Sequence, residues 1–131
     1  MIRTIDLVKE YANIVAVKGV NLDVKPGEVF GFLCPNGAGK TTTIKMIVGT
    51  LQPSSGKVLI GGIDVSENPI EATLITVFIP DRPYIYEKLT AMEFLLFVAG
   101  LYNMEPEFAE KRGLELLELF GRADWAAQLV A

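Results

Sequence analysis

The sequence predicts an α/β fold, and three observations support that prediction. Segments 4–11 and 13–24 alternate apolar and polar residues, as half-buried strands do. Segment 28–33 is apolar at consecutive positions, as expected of a strand buried on both faces, and segment 74–80 is a second β-rich apolar run. From Thr90 onward, the apolar residues recur at helical spacing. Strands that are followed by helices in a chain of this length favour an α/β domain.

The composition is that of a globular domain. Of 131 residues, 50% are hydrophobic and 21% are charged, and 12 Lys and Arg against 16 Asp and Glu leave a net charge of −4. Because the sequence shows no cluster of positive charge, we expect no nucleic-acid binding. The absence of histidine excludes His-based acid–base chemistry and imidazole metal sites, and one cysteine cannot form an internal disulfide.

We expect neither secretion nor direct membrane insertion. No charged region followed by an apolar core opens the chain. The longest uncharged run of the second half, 94–104, is far shorter than the roughly 20 residues that cross a bilayer. Together with the single cysteine, this indicates a reducing, cytosolic setting.

Turn and helix signals place the next elements. A turn is predicted at Pro26-Gly27, before segment 28–33. A helix over 40–50 is indicated by apolar residues at helical spacing, and a Pro-Ser-Ser-Gly stretch ends it. A strand is predicted over 57–62 and a short helix over 69–73.

The C-terminal part predicts helices. Thr90 and Glu93 form a capping box ahead of the first one. Pro106 begins a second, amphipathic helix that Gly121 ends. A third helix is predicted to begin near Asp124.

The most informative stretch is CPNGAGKTT at 34–42, a glycine-rich loop between a predicted strand and a predicted helix. Glycine lets backbone N–H groups approach an anion closely, and the helix start adds unpaired N–H groups and a positive dipole end. The stretch fits the Walker A pattern G-x-x-x-x-G-K-[ST], except that Cys34 stands at the first glycine. It predicts a site for a nucleotide polyphosphate such as ATP, with Mg²⁺.

Each residue of this loop has a predicted role. Lys40 would reach the β- and γ-phosphates, the Thr41 hydroxyl would ligate Mg²⁺, and Thr42 would contact the α-phosphate. If Cys34 has a left-handed backbone, its side chain costs on the order of 1 kcal/mol and lowers the affinity. The other residues predicted to surround the phosphates are Asn36, Gly37, Ala38 and Gly39.

Segments on both sides of the loop, 7–11, 16–22, 26–31 and 55–62, are similar to the ATP-binding domain of ABC transporters. The resemblance implies that Tyr11 stacks on adenine, because it stands where that family has an aromatic residue. For an isolated tyrosine, packing in a sheet face is an equal alternative.

Segment 78–83 resembles the Q-loop of the same family, and 86–90 resembles the start of the helical subdomain that contacts the membrane part of the transporter. Asp81 stands where the family usually has a glutamine close to Mg²⁺ and the attacking water. A carboxylate is a good ligand for this metal, so Asp81 is a candidate metal ligand, although it would repel the γ-phosphate. The alternative is a turn residue between two prolines.

The resemblance implies a single partial domain over 1–131: an α/β, partial P-loop NTPase core of the ABC type with an N-terminal antiparallel β layer over 1–89, and the start of a helical subdomain over 90–131. It covers about the first half of a typical domain. The Leu-Ser-Gly-Gly-Gln signature, the apolar strand that ends in Asp-Glu and the switch histidine are absent from the sequence, so hydrolysis by this chain alone lacks its expected base. Residues 29–33 would lack neighbouring strands, which predicts self-association through bare edges.

The leading hypothesis is the ATP-binding portion of an ABC transporter ATPase, which binds Mg-ATP to energise transport across a membrane by a partner subunit. The resemblance implies a transmembrane permease subunit and a second ATP-binding subunit as partners, at the cytoplasmic face of the membrane. An alternative is a truncated, non-catalytic nucleotide-binding or interaction module. A small kinase or GTPase ranks last, because the sequence has no Asn-Lys-x-Asp guanine motif.

Overall fold

The computed structural model describes residues 1–35, 37–81 and 85–130. Its backbone forms two compact units, Met1–Ile79 and Pro80–Ala131. The subdivision into 1–89 and 90–131 stays a prediction about the domain plan. In the described part of the chain, no helix is both long enough and apolar enough to span a bilayer.

The first unit contains a four-stranded antiparallel sheet with the strand order β2-β1-β3-β4. Its strands are β1 Ile2–Tyr11, β2 Ile14–Val24, β3 Ser55–Ile60 and β4 Ile63–Asp64. The alternation of apolar and polar residues predicted β1 and β2, and β3 corresponds to the strand predicted over 57–62. Their pairing confirms the N-terminal antiparallel β layer. The short β4 follows a Gly-Gly turn and was not predicted.

Two helices, α1 Lys40–Ile47 and α2 Pro69–Leu74, belong to the first unit and confirm the two helices predicted there. Met46 of α1 is 1% exposed and lies in a cluster of buried apolar side chains from the sheet, the two helices and the turn after β4. Burying one such side chain stabilises a fold by roughly 1.5–3 kcal/mol. The cluster, which fixes α1 on the sheet, consists of Leu7, Val17, Met46, Val58, Ile60, Val65 and Ala72.

A β-bulge in β2 lies beside the loop that precedes α1. Glu10 of β1 pairs with Val15, and the adjacent Lys9 pairs with Val17, so Ala16 is an inserted residue without a partner in this ladder. A bulge bends its strand and redirects the backbone of the inserted residue. The carbonyl of Ala16 lies against the loop, next to the start of α1.

The prediction of core strands at 28–33 and 74–80 is wrong. Within the described residues neither segment forms a strand, and the second begins at the end of α2. Their apolar side chains are largely exposed, with Val29 at 98%, Leu33 at 92% and Val77 at 88%. A strand needs partners for its N–H and C=O groups, and neither segment pairs with the described sheet. Consecutive apolar residues predict a buried strand only where neighbouring strands are present.

The first helix of the second unit, α3 Ala91–Leu101, begins with the predicted capping box. The Glu93 N–H donates to Thr90 Oγ1 at 3.2 Å, and the Thr90 N–H donates to Glu93 Oε2 at 2.8 Å. The Thr90 N–H, and after it the Thr90 hydroxyl, favours the ionised carboxylate and lowers the pKa of Glu93 below its ordinary value. Two backbone N–H groups at the helix start thereby have acceptors.

A second helix, α4 Pro106–Leu119, packs on α3. Gly113 permits the close approach of the two helices, because a Cβ at this position would lie 3.1 Å from the Met92 sulfur. Pro106 begins the helix and Gly121, at φ 65°, follows its end, as predicted. The third predicted helix is a short 3-10 turn, Ala123–Trp125.

The capping box can be tested with Thr90→Ala. Without the hydroxyl, the Glu93 N–H loses its acceptor, so we expect the free energy of unfolding of the second unit to fall by about 1 kcal/mol at neutral pH. Chemical denaturation followed by circular dichroism measures the change. Equal unfolding free energies for the variant and the wild type would contradict the role of Thr90.

The lowered pKa of Glu93 also sets the direction of a pH effect. A carboxyl whose pKa is lower in the folded chain contributes stability above its unfolded-state pKa, and that stability is lost as the pH falls through the folded-state pKa. We therefore expect Glu93→Gln to lose less stability on acidification than the wild type. Glu87→Gln, a change at another exposed glutamate of this unit, is the matched control and should follow the wild type.

Candidate functional site

The predicted phosphate loop leads into the first turn of α1, and two of its glycines have left-handed backbones. Gly37 has φ 82° and Gly39 has φ 84°, a conformation that disfavours side chains. Gly39 is the N-cap of α1, and no side chain caps this helix. The first N–H groups of a helix have no acceptor within the helix. Those of α1 are therefore available to a ligand.

The position of Gly39 is set by the β2 bulge. A Cβ built on Gly39 would lie 2.3 Å from the carbonyl oxygen of Ala16 and 3.0 Å from the Val17 side chain. Because the nearer atom belongs to the backbone, rotation of a side chain cannot relieve the clash. Gly39 is thus needed for its backbone conformation and for its small size, and it holds the start of α1 directly against β2.

Three threonines follow Lys40, and the structure separates their roles. The Thr43 side chain is buried, and its hydroxyl donates to the carbonyl oxygen of Gly39 at 2.9 Å, which closes the first turn of the helix. Among the described residues, the hydroxyls of Thr41 and Thr42 and the ammonium of Lys40 form no hydrogen bond or ion pair. These three side chains are free to bind a ligand, whereas Thr43 has a structural role.

A cavity of about 240 Å³ lies at the start of α1. Five of the predicted site residues line it, namely Gly37, Gly39, Lys40, Thr41 and Thr42. Ala38 lies in the same loop, where it is exposed and its N–H donates to the Pro35 carbonyl at 3.2 Å, but it does not line the cavity. Asn36 lies outside the described residues.

Sequence reasoning missed two residues that line the cavity, Ala16 and Pro35. Pro35 occupies a variable position of the Walker A pattern, which assigns it no role. Ala16 reaches the cavity because of the bulge, and the alternating pattern of β2 gives no signal for an inserted residue.

The electrostatics of the cavity favour an anion. The Lys40 ammonium carries a full positive charge at the wall, and the dipole of α1 adds a partial positive charge at its N-terminus. The first turn of α1 contains no acidic residue. An ammonium, two hydroxyls and unpaired backbone N–H groups together form a set of donors that suits phosphate oxygens, although the chain as a whole has a net charge of −4.

Cys34, at the position of the first Walker A glycine, is half-buried as a free thiol. Positive φ angles outside glycine occur, among the described residues, at Asp6, Ala12 and Asn103. Cys34 is not one of them, so the conditional strain predicted for it is absent.

Tyr11 does not line the cavity. Tyr11 is the last residue of β1, in the first unit, and is 47% exposed. Asp81 is an exposed residue of the second unit, and the rest of the predicted Q-loop, Arg82 and Pro83, lies outside the described residues. The roles of Tyr11 and Asp81 therefore stay predictions.

The chain is similar to characterised and uncharacterised ATP-binding proteins. An uncharacterised ABC transporter ATP-binding protein of Nostoc is 39% identical over 92% of this chain and 38% of its own length. The linearmycin resistance ATP-binding protein LnrL of Bacillus subtilis is 36% identical over 96% of this chain and 40% of its own length. The bacitracin transport ATP-binding protein BcrA of Bacillus licheniformis is 39% identical over 91% of this chain and 39% of its own length.

Solved structures show the same fold. The ATP-binding subunit of an ABC transporter matches with a TM-score of 0.86 and 30% identity, over 98% of this chain and 54% of its own. A dimeric, post-hydrolysis state of the ATP-binding cassette MJ0796, bound to ADP and Pi, matches with a TM-score of 0.81 and 27% identity, over 99% of this chain and 62% of the cassette. These neighbours confirm the predicted fold class.

This chain corresponds to only part of each relative. The chain spans 38 to 40% of the length of these curated relatives. Their similarity nevertheless extends over nearly all of this chain, and a sequence model of the ABC transporter family matches residues 17–130. The chain therefore belongs to the ABC transporter family.

Proposed function

We propose that this chain binds Mg-ATP as the nucleotide-binding portion of an ABC transporter ATP-binding subunit. The observation that carries the proposal is the cavity at the start of α1, which combines unpaired backbone N–H groups with the side chains of Lys40, Thr41 and Thr42. This donor set suits a polyphosphate, and the two left-handed glycines bring the backbone to it.

The proposed roles follow from the chemistry of each side chain. Lys40 neutralises the β- and γ-phosphates, and the N–H groups at the start of α1 hold their oxygens. Thr42 contacts the α-phosphate. Tyr11 stacks on the adenine, a role that its exposed ring permits.

Magnesium would bind through the Thr41 hydroxyl and through oxygens of the nucleotide itself. Among the described residues, no group of three or more Cys, Asp or Glu side chains is placed to hold a metal ion. This agrees with the usual preference of Mg²⁺ for one or two protein ligands together with phosphates and water. When bound, the ion neutralises charge on the β- and γ-phosphates. Asp81 is proposed as a further ligand.

For a protein of the length of the relatives, we propose that ATP hydrolysis is coupled to transport by a transmembrane permease subunit at the cytoplasmic face of a membrane. A second ATP-binding subunit is proposed as partner, because the solved cassette MJ0796 is a dimer. The names of LnrL and BcrA concern linearmycin resistance and bacitracin transport in their own organisms.

A second candidate function is a non-catalytic module that binds a nucleotide without hydrolysing it. Among the described residues, those that line the cavity include no carboxylate, so the cavity offers donors for a nucleotide but no general base for hydrolysis. Both candidates require the same phosphate site. They differ in ATP turnover, which the second candidate lacks.

The phosphate site is tested by Lys40→Ala with Lys45→Ala as the control. Both changes remove one lysine from α1, but Lys40 lines the cavity and Lys45 lies in the last turn. Because a hydrogen bond to a charged group contributes about 1.5–3 kcal/mol, we expect Lys40→Ala to weaken Mg-ATP binding by at least about tenfold. Isothermal titration calorimetry measures the affinities.

The control should bind Mg-ATP like the wild type. Equal affinity in Lys40→Ala and the wild type, or no saturable binding by the wild type, would contradict the proposed function. Phosphate release under saturating Mg-ATP, measured on a protein of the length of the relatives, then separates the two candidates, because only the first predicts turnover there.

The exposed apolar segments lead us to propose that the chain associates with a second copy of itself. Val29 and Val77 are 98% and 88% exposed, and apolar surface of this kind favours association. We expect a mass by light scattering that rises with concentration, and a lower mass for the double variant Val29→Lys, Val77→Lys. The control double variant Asn13→Lys, Ser66→Lys adds the same charge at exposed polar positions. A monomeric mass at every concentration would contradict the proposal.

A further inference from the structure

Lys9 has two contacts that connect it to the proposed adenine site. Its ammonium lies 5.4 Å from the centre of the Tyr11 ring, and it donates to the Gln52 carbonyl oxygen at 2.7 Å. Lys9 and Tyr11 lie two residues apart on β1, so their side chains leave the same face of the sheet. An ammonium within about 6 Å of a ring centre is held there by a cation–π interaction.

The carbonyl that binds Lys9 is itself fixed in place. Gln52 belongs to the segment between α1 and β3, and two hydrogen bonds attach this segment to β1. The Ser54 N–H donates to the Val8 carbonyl at 2.9 Å, and the Glu10 N–H donates to Ser54 Oγ at 3.0 Å. The Lys9 ammonium therefore contacts a segment that is hydrogen-bonded to Val8 and Glu10, the two neighbours of Lys9 in β1.

We propose that Lys9 is a positioning residue for nucleotide binding, which holds the Tyr11 ring in place to stack on the base. This inference rests on the proposed function. The ammonium approaches the ring, and with 47% of the residue exposed, Tyr11 still presents surface to solvent where a base can stack. A ring that is already held loses less rotational freedom on binding. Lys9 thus acts on affinity for the base and leaves the phosphate contacts unchanged.

The test compares two ligands, Mg-ATP and the Mg²⁺ complex of inorganic triphosphate, by calorimetry on the full chain. Lys9→Met removes the charge and keeps most of the stem, and Lys9→Arg keeps the charge. From the size of exposed cation–π interactions, we expect Lys9→Met to bind Mg-ATP about two- to fivefold more weakly and to bind triphosphate like the wild type. Lys9→Arg should restore the affinity for Mg-ATP.

Lys18→Met is the matched control, since it removes the same charge from an exposed position of β2, and it should bind both ligands like the wild type. In a Tyr11→Leu background, Lys9→Met should have no further effect on Mg-ATP, because the ring through which it acts is gone. Unchanged Mg-ATP affinity in Lys9→Met would overturn the inference. An equal loss for both ligands would overturn it too, since a base-specific role excludes that result.

The proposed function fails in a different way. If the wild type binds neither ligand, the phosphate site itself is refuted, and the inference about Lys9 is refuted with it. If triphosphate binds and depends on Lys40 but Lys9→Met does not discriminate between the two ligands, only the inference about Lys9 is refuted.

Discussion

The contact between Gly39 and the Ala16 carbonyl is the constraint on which the site depends. It leaves no room for a Cβ at the N-cap of α1, so the helix start, its unpaired N–H groups and the Lys40 side chain are positioned by β2. The bulge at Ala16 in turn depends on the pairing of β1 with β2. Packing of Met46 against the sheet fixes the body of the helix. A local loop motif therefore obtains its geometry from the antiparallel sheet beside it.

The parts of the fold that could be predicted are those in which local signals and tertiary contacts agree. The capping box of α3 and the ends of α4 are set by residues close in sequence. The alternating segments that form β1 and β2 find their pairing partners in each other. Five residues of the phosphate loop were likewise identified because their chemistry and spacing fix their roles. Ala16 was missed because a bulge arises from the register between strands, which no single segment specifies.

The two apolar segments, 28–33 and 74–80, show the opposite case. Their composition suits buried strands, but a strand exists only when another strand receives its hydrogen bonds. Within the described residues none does, and Val29 and Val77 are almost fully exposed. The phosphate loop follows the first of these segments and still has left-handed glycines and a complete first helical turn. The site is thus supported from β2 and α1 and does not depend on a strand at 28–33.

The most direct measurement is a titration of the ¹⁵N-labelled chain with Mg-ATP, followed by amide chemical shifts. If the start of α1 holds the phosphates, the amide signals of Gly37, Gly39, Lys40 and Thr41 will shift saturably and with one common affinity. The signals of α2, which belongs to the same unit but does not line the cavity, will stay in place. Saturable shifts in α2 without shifts at the start of α1, or no shifts at all, would contradict a phosphate site built on Gly39.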